Sequence, residues 1–182
     1  MSEVWTYPFK MGALARGPVT LRLEPDAEGL KALAPQLGVR EVKSLSADLR
    51  LRTWLDGVEI GGRYEAVVEQ ESGLSLEVFD QTVEGPIELR FVPAGSPNAP
   101  DPEVEIELDP ESPDPPEILE GDTLDLAAYV IEHLAVEIDP FPRLPGETFD
   151  YTPPQDDDSP FAVLKRRSEE RRVGKECRSR WS

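Results

Sequence analysis

From Leu45 to Val68 the chain reads LSADLRLRTWLDGVEIGGRYEAVV, two runs of alternating apolar and polar positions that meet at Asp56-Gly57. Alternation with a period of two marks a strand with one buried face, and Asp-Gly between two such runs is a strong hairpin signal. A two-residue loop at 56–57 predicts Leu55 opposite Val58, Thr53 opposite Ile60, Leu51 opposite Gly62, Leu49 opposite Tyr64, Ala47 opposite Ala66 and Leu45 opposite Val68 on the apolar side. The other side then pairs Trp54 with Glu59, Arg52 with Gly61, Arg50 with Arg63 and Asp48 with Glu65. A slip of one residue would bury charge, so the choice of inner face is strongly specified.

The flanking patterns extend this hairpin into a sheet. Pro18–Leu23 alternates with Val19, Leu21 and Leu23 on one face. Leu74–Val78 and Pro86–Val92, the latter with Ile87, Leu89 and Phe91 on one face, predict two more strands of an antiparallel meander. Trp5–Phe9 reads as a strand or a clip on the core, and Gly61-Gly62 as a bulge. Helical spacing occurs twice. Ala27, Leu30, Leu33, Ala34 and Leu37 predict a helix over 26–37 capped by Asp26 and ended by Gly38, with Pro35 shortening it. Leu124, Ala127, Ala128, Ile131, Leu134, Ala135 and Ile138 form the stripe of a second helix over 123–138, capped by Asp122 or Thr123 and stopped by Pro140. Such a stripe suits a helix that closes one face of the sheet, which makes the expected fold class α+β.

These elements make residues 1–146 a single domain, interrupted by a disordered acidic, Pro-rich loop over about 93–120 in which Val104, Ile106 and Leu108 alternate well enough for an edge strand. Residues 147–166 read as a flexible tail ending in Pro160-Phe161-Ala162-Val163-Leu164-Lys165. The last stretch, Arg167 to Ser182, holds six of the nineteen basic residues and the one cysteine, Cys177. It resembles a conceptual translation of a common sequencing-adapter DNA and is set apart from the fold as a non-native artefact; a basic RNA-binding tail is the competing reading.

Charge narrows the functional classes. With 37 acidic and 19 basic residues among 182, the net charge of −18 argues against binding nucleic acid by general phosphate neutralisation, so any RNA contact would be local. One cysteine excludes an intrachain disulfide framework. Without a signal-like start or a membrane-length apolar run, the expected location is cytoplasmic.

Enzyme constellations are sparse. A single histidine, His133, lies off the apolar stripe of the second helix and reads as an ordinary helix-surface residue, so neither a His-based triad nor a multi-His metal site is expected, and no Gly-rich phosphate loop occurs. Asp156-Asp157-Asp158 lies in a Pro-rich tail where the carboxylates cannot converge rigidly. No catalytic residue, metal, cofactor or small-molecule substrate is therefore expected; a carboxylate-dependent nuclease using Glu132 and Asp139 is the enzyme alternative. Two charged features stand out. No Lys or Arg falls between Arg90 and Arg143, while fourteen acidic residues lie from Asp101 to Asp139. Asp101, Glu103, Glu105, Glu107 and Asp109 are the docking candidates there for a basic partner, against the plainer reading of a solvating loop. The outer face of the hairpin gathers Arg50, Arg52, Arg63 and Arg90 beside Trp54, candidates for RNA or partner binding, against cross-strand ion pairing with Asp48 and Glu65.

The order of a first helix, SLSADLRLRTW, Glu71-Ser72-Gly73-Leu74-Ser75-Leu76-Glu77-Val78-Phe79, a strand ending Leu89–Pro93, a helix opened by Leu124-Asp125-Leu126 and closed by Leu134–Pro140, and Ser159–Lys165 resembles the bacterial YceD family, also called large ribosomal RNA subunit accumulation proteins. The resemblance extends over nearly all of residues 1–166. It implies a cytoplasmic, non-enzymatic factor needed for normal accumulation of 23S ribosomal RNA, acting on a large-subunit component that is either a basic ribosomal protein or the 23S rRNA precursor. An acidic module or chaperone that holds a basic ribosomal protein without touching RNA is the alternative form. Many members carry a Cys-x-x-Cys pair where this chain has Ser72 and Ser75, and hydroxyls cannot replace thiolates as zinc or redox ligands. That site reads here as the structural start of a strand.

Overall fold

The computed structural model describes residues 5–100 and 114–149. In chain order the elements are β1 (Pro8–Lys10), a short 3-10 turn (Met11–Arg16), β2 (Val19–Leu23), α1 (Ala27–Leu37), β3 (Glu41–Trp54), β4 (Gly57–Glu71), β5 (Val78–Pro93), β6 (Glu117–Leu119), β7 (Thr123–Asp125) and α2 (Leu126–Glu137). The main sheet has the order β2-β3-β4-β5-β6, antiparallel except that β6 runs parallel to β5, and β1 pairs with β7 in a separate two-stranded ribbon. The fold class is α+β, as the patterning implies. Leu49, Leu51, Ile60, Tyr64, Ile87 and Phe91 of the sheet, Leu33 of α1 and Leu126 and Leu134 of α2 share one buried core. Removing side chains of this size from water is the main stabilising term.

The hairpin forms, but its turn is not at 56–57. Trp54 faces Gly57, and the ladder continues through Thr53/Val58, Arg52/Glu59, Leu51/Ile60, Leu49/Gly62 and Ala47/Tyr64. The turn residues are Leu55 and Asp56, with Leu55 at a left-handed φ of 52°. Gly57 already belongs to β4, where a Cβ would lie 1.8 Å from the carbonyl oxygen of Phe91 on the next strand. Glycine is needed there for close approach of β5 rather than for a turn conformation. The observed register differs from the expected one by two residues, so every side chain keeps its face while every partner changes. Gly62 is not the site of a bulge: its Cβ would meet the carbonyl of Asp48 at 2.2 Å, and the ladder irregularity falls instead between Val42 and Ser44.

Further elements depart from the expected bounds for tertiary reasons. β5 runs unbroken from Val78 to Pro93, whereas Leu74–Leu76 lie outside it in a turn. Pro35 does not shorten α1: the helix continues through it, without the hydrogen bond that an amide there would donate to the Lys31 carbonyl, and Gly38, at φ 69°, ends it after Leu37. Asp26 caps the other end by accepting from the Gly29 amide at 2.8 Å. In α2 the first predicted turn is taken by β7, because Leu124 pairs with Phe9 of β1. Asp125, not Asp122 or Thr123, is the cap, accepting from the amides of Ala127 at 3.1 Å and Tyr7 at 2.7 Å. The buried stripe accordingly includes Leu126 and Val130, while Ala128 and Ala135 face outward. Residues 93–120 are not wholly loop, since β6 lies among them; the strand expected at Val104–Leu108 falls outside the described residues.

Candidate partner-binding surfaces

The register of β3, β4 and β5 decides what the outer-face arginines do. Glu59 lies opposite Arg52 on one side and Arg90 on the other. Its carboxylate accepts from both guanidiniums, the Arg90 bond measuring 3.1 Å. The Arg90 guanidinium also stands 5.2 Å from the centre of the Trp54 ring, within cation–π range. The Glu59 side chain is only 16% exposed, and burial by itself pushes its carboxyl pKa up. The bonds from Arg52 and Arg90 outweigh that and hold it below the usual glutamate value. Arg50, Arg52 and Arg90 line an open groove of about 810 Å3 together with Glu59, Glu88, Asp114 and Glu117.

The ion pairs expected with Asp48 and Glu65 are not those that form. Asp48 is taken by Arg22 of β2 at 3.3 Å, and Arg22 also bonds Glu24 at 2.7 Å. Further along the sheet Arg40 bonds Glu71 at 2.6 Å, and Lys43 bonds Asp80 and Glu69 at 2.5 and 3.2 Å. Arg50 and Arg63 have no ion pair among the described residues. The candidates therefore divide: Arg52, Arg90 and Trp54 form one internally satisfied cluster around Glu59, and Arg50 and Arg63 remain as available cations. Neither Glu59 nor Arg22 is legible as a partner without the strand pairing, although their alternation already placed both on the outer face.

The acidic surplus lies along the chain from Asp114 to Asp139, of which Asp114 and Glu117 line the same groove as Arg50, Arg52 and Arg90. Every ion pair among the described residues joins groups between Arg22 and Arg90. The eight carboxylates from Asp114 to Asp139 have none among those residues. Tyr129 packs edge-on against Phe91, ring centres 5.0 Å apart, which fixes the face that α2 presents beside β6. Burial and then the negative charge of Glu132 raise the Glu117 carboxyl pKa, opposed in part by His133. The Tyr129 hydroxyl is raised by burial and by Glu117, Glu132 and Asp125. Burial is the larger cause in both, and the neighbouring carboxylates add to it. His133, half-buried on α2, places Nδ1 2.8 Å from the Tyr129 carbonyl. The docking candidates Asp101, Glu103, Glu105, Glu107 and Asp109 lie outside the described residues.

Ser72 and Ser75 sit in a tight turn before β5, not at a strand start. The Ser72 hydroxyl accepts from the amides of Leu74 at 3.2 Å and Ser75 at 3.3 Å, and the Ser75 hydroxyl accepts from Glu77 at 3.3 Å. Two hydroxyls spent on backbone amides explain the turn's shape. Among the described residues no three His, Cys, Asp or Glu side chains converge as metal ligands would, and no helix there is long and apolar enough to cross a membrane. Asp139 uses Oδ1 to accept from the Phe141 amide at 2.8 Å. It lies past the end of α2, whereas Glu132 lies within the helix.

A mostly antiparallel sheet that shares its core with two helices, with most of its outer-face cations paired to its own acids and with the carboxylates from Asp114 to Asp139 lacking an ion pair among the described residues, makes this an acidic α+β domain. The model of the family described as large ribosomal RNA subunit accumulation protein YceD matches residues 60–176, well over half of the chain, and the chain belongs to that family. The match begins within the hairpin and runs ten residues into the segment 167–182. No curated protein and no solved structure was found to match the chain. The family description ties the chain to accumulation of the large ribosomal RNA subunit.

Proposed function

We propose that the chain supports large-subunit accumulation by binding in the cytoplasm, without catalysis, and that its carboxylate surface from Asp114 to Asp139 holds a basic protein component of the large subunit. The supporting observation is the segregation of charge. The sheet neutralises most of its own cations, whereas eight carboxylates stand unpaired among the described residues. A bank of one sign attracts the opposite sign and raises the association rate with a basic partner, while it repels phosphate. Asp101 to Asp109 belong to the same acidic run in sequence and extend the candidate surface. The full chain, immobilised and offered a bacterial extract treated with nuclease, is expected to retain a basic large-subunit ribosomal protein. Retention that disappears with nuclease would replace this reading by direct binding of the 23S rRNA precursor.

That second reading has its own support in Arg50 and Arg63, the outer-face guanidiniums without an ion pair among the described residues, of which Arg50 shares a groove with Arg52 and Arg90. Glu59 and Glu88 line that groove too and repel phosphate, which makes this the weaker of the two.

A further inference from the structure

Leu55 and Leu76 are the two non-glycine residues with left-handed backbone among the described residues, at φ 52° and 62°. Such a conformation suits glycine or asparagine and strains a leucine. Both side chains project into solvent, 62% and 69% exposed, so neither is repaid by burial within the domain. Leu55 stands alone at a hairpin tip. Leu76 does not.

The turn that carries Leu76 is rigidly held. The Ser72 amide donates to the Glu77 carbonyl at 2.8 Å and the Leu76 amide to the Ser72 carbonyl at 3.0 Å. The Gly73 amide donates to the Pro142 carbonyl at 2.9 Å, and Gln70 Nε2 donates to the Asp139 carbonyl at 3.1 Å. These last two bonds fasten the turn to the segment leaving α2. These bonds set the turn with its exposed Leu74 and Leu76 beside the segment that leaves α2; Val136, near the end of that helix, and Phe141, in the segment, are 80% and 79% exposed. The flanking Glu77, Glu137 and Asp139 are acidic, with Arg143 the nearest cation along the chain. Large apolar side chains on a fixed backbone lose little entropy when covered, and an acidic rim selects what covers them.

We propose that Leu74, Leu76, Val136 and Phe141 form the apolar anchor site for a basic polypeptide segment that carries large apolar side chains of its own. The inference rests on the reading that the chain holds a basic large-subunit protein, and it says where that protein is gripped. Charge complementarity selects a basic polypeptide, and the strained leucine explains what the turn gains from a side chain that its backbone disfavours.

The test uses the immobilised full chain and, as probe, total protein extracted from purified large ribosomal subunits and freed of nucleic acid. The wild type is expected to retain a basic protein identifiable by mass spectrometry. Leu76→Gly, which relieves the backbone while deleting the side chain, is expected to lower retention about tenfold and to leave the melting temperature at or above wild type; Leu76→Gly/Phe141→Ser should lower it further at unchanged net charge. Glu117→Gln/Glu132→Gln serves as the control for the carboxylate surface. If the wild type retains no basic protein, the functional reading itself falls. If retention is lost in the carboxylate variant yet equal to wild type in both apolar variants, that reading stands and the anchor site is overturned. Self-association of the wild type in sedimentation, abolished in the apolar variants, would assign the surface to a second copy of the chain and also overturn the proposal.

Discussion

Tyr64 stands directly opposite Gly85, so close that a Cβ on residue 85 would come within 2.8 Å of the tyrosine hydroxyl and 3.1 Å of its ring. The ring fills the space that a side chain on β5 would occupy, and its hydroxyl reaches the His133 carbonyl of α2 at 3.3 Å. Sheet and helix are thereby tied through one residue. Gly85→Ala in a strand would ordinarily be neutral or stabilising; here it is expected to cost about 1–3 kcal/mol through overpacking, measured as a lower urea midpoint at unchanged m-value. Tyr64→Phe should cost no more than about 1 kcal/mol, since that hydrogen bond is long.

Gly57 and Gly61 make opposite predictions. Gly57→Ala drives a methyl into the Phe91 carbonyl, and backbone cannot rotate aside as a side chain can. The loss is expected to exceed about 3 kcal/mol, with much of the chain unfolded or aggregated on expression. At Gly61 nothing lies within 4 Å of a Cβ, and alanine there should gain roughly 0.5 kcal/mol in the same urea titration.

Glu59 should set part of the acid limb of the stability profile. Its folded pKa lies below the ordinary value because Arg52 and Arg90 outweigh desolvation. The unfolded state then binds the proton more readily, so the stabilisation is present above the ordinary glutamate pKa and is lost as pH falls through the folded one. Glu59→Gln is expected to cost about 1 kcal/mol at pH 7, a modest figure because the Arg52 side chain is largely solvated, and to flatten the fall in melting temperature below roughly pH 5.

For Glu117 the sign is reversed. Burial and Glu132 raise its folded pKa, so the folded state keeps the proton longer, and stability falls as pH rises through that value. Glu117→Gln should raise the melting temperature at pH 7 and lose this advantage once both carboxyls are protonated in acid. Under the proposed function the same change should weaken retention of a basic protein, a separation of stability from binding that calorimetry and pull-down would reveal together.

Reversing Arg50 and Arg63 to glutamate removes cations that have no ion pair among the described residues. Stability should move by no more than about 0.5 kcal/mol per site, and capture of a basic protein should persist. Loss of a large-subunit phenotype in cells with capture intact would direct attention to RNA on that face.

How much was legible in advance differs between elements. Asp26 as cap and Gly38 as terminator of α1 are local chemistry, and both hold. Pro35 does not stop α1 one turn early, because the helix runs on to its cap at Gly38, whose amide donates to the Ala34 carbonyl. The start of α2 was misplaced because nothing local announces that Thr123–Asp125 will pair with Pro8–Lys10, more than a hundred residues earlier. The alternation of Leu74, Leu76 and Val78 reads as a strand, yet Ser72–Leu76 form a turn and all three of those side chains are exposed rather than part of a core. The arginine cluster was visible by its face, and its neutralisation by Glu59 was not.

The alternation from Leu45 to Val68 was enough by itself to determine which side chains face inward, because a period of two survives a register shift of two. Only the tertiary structure decided the register. The close approach of the Asp48 carbonyl to Gly62 belongs to the β3–β4 pairing that brings Arg52 opposite Glu59, while the Phe91 carbonyl at Gly57 and Tyr64 over Gly85 belong to the β4–β5 pairing that brings Arg90 opposite it. Burial is set by each residue's own polarity, whereas charge pairing is set by neighbours that the chain acquires only on folding. For that reason the sequence showed that the protein is acidic, while the fold revealed which carboxylates are left without an ion pair among the described residues.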